Sequence, residues 1–142
     1  MRTTDDTPPI FGGDASVVTS DVKSMSLTAS WSQASDDVLV TGYEVLVDGD
    51  TIAQVDRDVT ELALSALNPG STVWVQVIAV DAAGNRSVPI GVTVTMRDDP
   101  PKWIDDALDV SPDAFKVSLS WSAAVDEVAV VGYRVFQDDA LV

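Results

Sequence analysis

The chain has 142 residues, 46% of them hydrophobic, which suffices for one domain and part of another. Cysteine and histidine are both absent, and the formal net charge is −15. These counts exclude a disulfide framework, a thiolate metal site and histidine-based acid–base catalysis, and so acidic a surface repels phosphate backbones, so no nucleic-acid partner is expected.

Residues 1–9 form a polar lead-in ending in Thr7-Pro8-Pro9, where two prolines stiffen the chain and remove two donors. Met1-Arg2-Thr3-Thr4-Asp5-Asp6 contains no apolar h-region and does not read as a signal peptide. No run of ~18 apolar residues occurs, so no membrane insertion is expected. After Ile10 and Phe11, Gly12-Gly13-Asp14 reads as a turn, and residues 16–22 suit an edge strand.

From Met25 to Trp31 apolar and polar residues alternate, which predicts a half-buried strand with Met25, Leu27, Ala29 and Trp31 inward. Residues 33–40 predict a loop carrying Asp36 and Asp37. Tyr43–Val47 alternates again, with Tyr43, Val45 and Val47 inward. Asp48-Gly49 is the strongest hairpin signal, because a type I′ turn needs positive φ at two successive residues. It leads into a strand over residues 51–55. Residues 60–67 bring Leu62, Leu64 and Leu67 to the core, and Asn68-Pro69-Gly70 turns the chain.

Residues 73–80 form the longest strand candidate, Asp81–Asn85 carries turn chemistry, and Val92–Thr95 supplies a seventh strand. No helical period of useful length occurs, so the fold class is all-β, a seven-stranded β-sandwich over residues 10–96. Residues 97–101 then repeat the opening acidic, proline-rich motif and read as a linker.

Residues 102–142 restate the first half of what precedes them. Ser30-Trp31-Ser32, Asp36, Val38, Val40, Gly42-Tyr43 and Val45 return at a constant offset of 90 as Ser120-Trp121-Ser122, Asp126, Val128, Val130, Gly132-Tyr133 and Val135. Trp103 takes the place of Phe11, residues 115–121 repeat the second strand and residues 132–136 the third. Trp121 and Tyr133 are thereby expected in a core like that of Trp31 and Tyr43. Three strands alone leave these rings uncovered, so the second copy is expected to be unable to form an independent sandwich and to offer a possible dimer contact.

This pattern resembles the fibronectin type III domain, once complete and once as an N-terminal half. The resemblance implies an immunoglobulin-like sandwich with Trp31 and Tyr43 at its centre, matched by Trp121 and Tyr133. Leu67, Pro69, Gly70 and Ser71 match the family's corner motif, whereas Val73 stands where the family has a tyrosine. Residues 32–45, with Val80–Ser87, resemble the bacterial branch. Members of that branch occur in secreted polysaccharide-degrading enzymes, cell-surface proteins and phage virions as spacers or adhesive units. The loop at residues 81–87 has no Arg-Gly-Asp tripeptide, so integrin binding is not implied.

Asp36, Asp37 and Glu44, with Asp126 and Glu127 in the repeat, are the carboxylates nearest to a paired arrangement. A polar loop at a sandwich end provides no desolvated pocket to raise one pKa, so hydrogen bonds capping the loop are expected in place of catalysis. The aspartates at 48, 50, 56 and 58 lack the ligand spacing of a calcium loop. No catalytic residue, cofactor or metal ligand is therefore assigned, beyond a weak calcium contact left open at Asp36 and Asp37. If Val73, Val75, Val77 and Ala79 face inward, Trp74, Gln76 and Ile78 face out, beside Leu46 on the third strand. Those four residues are the candidate interface, for a protein neighbour, an adjacent repeat or a polysaccharide. The function expected is a non-catalytic module of a larger extracellular, cell-surface or virion protein.

Overall fold

The computed structural model describes residues 4–142; Met1, Arg2 and Thr3, part of the lead-in read from sequence, lie outside them. The chain divides into two units, Met1–Asp98 and Asp99–Val142.

In the first unit, β1 (Val17–Ser20), β2 (Leu27–Trp31), β3 (Val40–Val47), β4 (Asp50–Asp56), β5 (Glu61–Leu64), β6 (Thr72–Asp81) and β7 (Ile90–Thr95) form two antiparallel sheets. One has the order β1-β2-β5 and the other β4-β3-β6-β7. Alternation decides which side of each strand is covered. Along β2, Leu27, Ala29 and Trp31 are buried, and along β6 so are Val73, Val75, Val77 and Ala79. Facing Tyr43, Val45, Leu64 and Leu67, they make one apolar cluster between the sheets, with Leu62 packed at its margin.

Asp48 and Gly49 both take positive φ, 50° and 90°, as the hairpin between β3 and β4 requires. Gly42 is fixed by space: a Cβ there would lie 2.4 Å from the carbonyl oxygen of Val55 on β4. Met25 departs from the strand phase. The chain bends just before β2, and this side chain is exposed.

The second unit contains β8 (Lys102–Trp103), β9 (Leu108–Pro112), β10 (Val117–Trp121), β11 (Ala124–Val125), β12 (Phe136–Gln137) and β13 (Ala140–Leu141). They pair as three separate two-stranded ladders, β9 with β10, β8 with β11 and β12 with β13. Residues 132–135 belong to no strand, so the expected repeat of β3 is reduced to its last part. Asp138 and Asp139, with φ of 50° and 65°, rebuild the β3–β4 hairpin, and β13 starts the fourth strand of the copy.

Trp121 and Tyr133 do not share the burial of their counterparts in the first unit. They are 37% and 42% exposed, against 6% for Trp31 and 2% for Tyr43. Among the described residues, no ladder like β5 or β6 lies beside β10 and β12 to cover them.

Candidate functional site

Trp74 lies on β6 with its side chain on the outer side of the four-stranded sheet. The period-2 phase that buries Val73 and Val75 leaves it 47% exposed. Its backbone N–H donates to the Asp48 carboxylate at 2.8 Å, and its carbonyl accepts from the Asp48 N–H at 2.8 Å, which locks β6 to the start of the hairpin.

Across the ladder, Thr93 of β7 faces Trp74, and Gly91 faces Gln76. A Cβ at Gly91 would stand 3.0 Å from Trp74 Nε1 and 2.9 Å from Gln76 Cγ, so a side chain at 91 would displace the indole. The missing side chain lets the ring lie low over β7, a feature that no pattern of apolar residues announces. Leu46 and Gln76, opposite each other in the β3–β6 register, are both buried, and Ile78 is half-buried. The face is therefore narrower than the four residues suggest: one exposed indole on a floor of covered side chains.

The carboxylates are distributed differently from a catalytic pair. Glu44 lies on β3 and forms an ion pair with Arg86 across the outer face. The Asp36 carboxylate accepts the N–H groups of Val38 at 3.1 Å and Leu39 at 2.8 Å, which caps the loop. Asp126 does the same for Val128 and Ala129 in the second unit.

Carboxylate oxygens of Asp5, Asp36 and Asp37 come within 4.8 Å of one another, and Asp5 Oδ2 and Asp36 Oδ1 are covered without a hydrogen-bond donor. Sequence spacing had no means of bringing Asp5 there. The lead-in is folded back by the Ile10–Ser35 bridge and by Asn85, whose amide donates to the Asp5 carbonyl at 3.0 Å.

Asn85 belongs to a second buried arrangement that composition alone does not single out. Asp81, at the end of β6, is buried and accepts the N–H groups of Ala83 at 2.9 Å and Asn85 at 2.8 Å, and the Asn85 amide at 2.8 Å. Burial alone would push the Asp81 carboxyl up, but the Asn85 side chain and the backbone N–H groups of Asn85, Ala83 and Gly84 outweigh it and hold the pKa below 3.8. This group is an anchor for the β6–β7 loop, since every oxygen is turned toward backbone or amide donors.

The aromatic centres of the two units have the same geometry. Trp31 meets Tyr43 edge-on at 5.8 Å and 63°, and Trp121 meets Tyr133 at 5.7 Å and 63°. Phe11 stacks on Tyr43 at 6.2 Å, and Trp103 on Tyr133 at 5.7 Å. Each tyrosine hydroxyl accepts a backbone N–H nine residues upstream, Ala34 at 3.1 Å and Ala124 at 3.0 Å. These bonds hold the loop before the tyrosine, a role that the corner position occupied by Val73 does not supply.

The fibronectin type III domain profile matches residues 14–93. Chitinase A1 of Niallia circulans is 31% identical over 96% of this chain and 20% of that protein. Exoglucanase B of Cellulomonas fimi is 31% identical over 95% of this chain and 13% of that protein. The chain thus spans a fifth or less of these relatives. Among solved structures, chitinase ChiA74 from Bacillus thuringiensis superposes with a TM-score of 0.56 at 24% identity, over 78% of this chain and 16% of that one. A human-derived fibronectin type III domain superposes with a TM-score of 0.50 at 20% identity, over 69% of this chain and 82% of that domain. At these identities the structures share the fold. With the profile match, the two-sheet topology and the central Trp31–Tyr43 pair, the chain belongs to the fibronectin type III domain family.

Proposed function

We propose that the chain acts as a non-catalytic accessory module that spaces or displays other domains of a larger extracellular carbohydrate-active enzyme. One observation carries this reading: nearly the whole chain aligns with a small part of a chitinase and of an exoglucanase. The disposition of the polar groups supports it. Glu44 is held by Arg86, Asp36 by loop N–H groups and Asp81 by Asn85, so these acids are engaged in holding loops and strands. Incubated with insoluble chitin or cellulose, residues 1–142 should release no soluble sugar above buffer. Inserted between the catalytic and substrate-binding domains of a chitinase, they should leave hydrolysis of soluble oligomers unchanged and alter hydrolysis of insoluble chitin. Sugar release by the isolated chain would overturn the reading.

The exposure of Trp74 over Gly91 favours a second reading, in which the same module also holds polysaccharide or a cell-surface protein through this face. A flat indole beside Thr93 offers a stacking surface for a pyranose ring. Retention on insoluble chitin or cellulose that is lost in Trp74→Ser, with the melting temperature of the first unit unchanged, would support it. Equal retention of both proteins would remove it.

A further inference from the structure

Asp5 and Asp36 put their two carboxylate oxygens to different uses. Asp5 Oδ1 accepts the Thr7 N–H at 3.0 Å, and Asp36 Oδ2 accepts the N–H groups of Val38 and Leu39. The other oxygens, Asp5 Oδ2 and Asp36 Oδ1, have essentially no accessible surface and no hydrogen-bond donor. A carboxylate oxygen so placed loses its hydration without compensation, and like charges beside it add repulsion. Asp37 is exposed, and one oxygen from each of the three acids lies within 4.8 Å of the others.

What this arrangement lacks is positive charge. A single proton would serve one pair of oxygens, whereas a divalent cation offsets two charges and can be bonded by all three acids. Carboxylate oxygens without nitrogen or sulfur select a hard cation. Oxygens bound to one Ca²⁺ at ~2.3–2.6 Å can stand up to about 5 Å apart, whereas the ~2.0–2.1 Å bonds of Mg²⁺ demand a tighter set. The acids are also held from outside. The Ile10–Ser35 bridge, at 2.8 and 2.9 Å, keeps the lead-in beside the loop, and the Asn85 amide donates to the carbonyls of Asp5 and Thr7.

The half-repeat points the same way. Counting back three residues from Pro8 gives Asp5, and counting back three from Pro100 gives Arg97. Asp36 and Asp37 return as Asp126 and Glu127. The second copy thus keeps the two loop acids and writes a cationic residue where the first writes a third acid.

We propose that Asp5, Asp36 and Asp37 form a calcium site that pins the lead-in to the loop between β2 and β3. Water completes the shell on the open side of Asp37.

The test uses the full chain, stripped with chelator, in calcium, magnesium or sodium chloride at equal ionic strength. Calcium should bind with a dissociation constant of about 10⁻⁴–10⁻³ M. At about ten times that concentration, exchange at Thr7, Ile10, Val38 and Leu39 should slow about tenfold. The melting temperature of the first unit should rise by about 5–10 °C. Asp5→Asn and Asp37→Asn should each lose both effects, whereas Asp58→Asn, which removes the same charge from an exposed turn, should keep them. Should Asp5→Asn loosen the lead-in, Asp37→Asn still decides, because it should melt no lower than the parent chain in chelator. Sodium chloride reproducing the calcium effects would overturn the proposal, since screening would then suffice. Equal responses of Asp37→Asn and Asp58→Asn would also overturn it, as general attraction of calcium to an acidic chain. Equal effects of magnesium would overturn the choice of ion.

Discussion

Trp31 and Trp121 occupy the same place in two copies of one strand, and each meets a tyrosine edge-on at nearly the same distance. Their surroundings differ. Trp31 is covered by a second sheet, whereas more than a third of Trp121 is open. The aromatic trio, the tyrosine hydroxyl bond and the aspartate cap are therefore set by the first three strands and their loops. Burial is set by strands that arrive from further along the sequence. Local chemistry places the rings, and long-range pairing gives their placement its energetic value.

Paired substitutions turn this contrast into numbers. Trp31→Ala should destabilise the first unit by about 3–5 kcal/mol, because it empties a closed core. Trp121→Ala should change the denaturation of the second unit by about 1 kcal/mol or less, as expected for an exposed side chain. A chemical-denaturation midpoint for the first unit that does not move would contradict the sandwich core.

Gly42→Ala should cost roughly 1–3 kcal/mol, since a Cβ meets the Val55 carbonyl oxygen at 2.4 Å. Gly132→Ala should be close to neutral, because nothing lies within 4 Å of a Cβ there. Equal losses at the two glycines would show that the second unit is closed by a neighbouring strand as the first is.

Tyr43→Phe should cost about 1 kcal/mol through the lost bond to Ala34 N–H, and Tyr133→Phe less, because water replaces its hydroxyl at an exposed site. Thermal melts of the two variants would rank them.

Much of this was legible in the sequence because one strand copy glosses the other. The alternation in residues 25–31 and 73–80, the Asp48-Gly49 turn and the offset of 90 identify the strands of the sandwich and the half-repeat. Three features were hidden because they depend on residues distant in the chain. Asp81 reads as an ordinary turn residue until Asn85 and three backbone N–H groups converge on it. Gly91 carries no signal in the sequence until the Trp74 indole lies over it. Leu46 and Gln76 read as exposed from phase alone, yet their neighbours on the outer face bury them.

Two smaller effects separate the loops of the first unit. The Asp81 carboxyl has a lower pKa folded than its ordinary 3.8, so its contribution to stability is present above about pH 4 and is lost as pH falls through the folded value. Melting temperature should therefore fall more steeply with acid in the parent chain than in Asp81→Asn, with no such difference in exchange of the second unit. Asp37→Asn should stabilise the first unit by a few tenths of a kcal/mol at low salt by relieving repulsion from Asp5 and Asp36. The gain should vanish near 1 M salt, where the Debye length is about 3 Å.

Amide hydrogen exchange on residues 1–142 tests the contrast between the units most directly. Protection should be strong along β2, β3 and β6, where ladders flank both sides, and weak from residue 115 to residue 136, independent of protein concentration. A monomeric chain with protection as strong over residues 115–136 as over residues 27–47 would contradict the account.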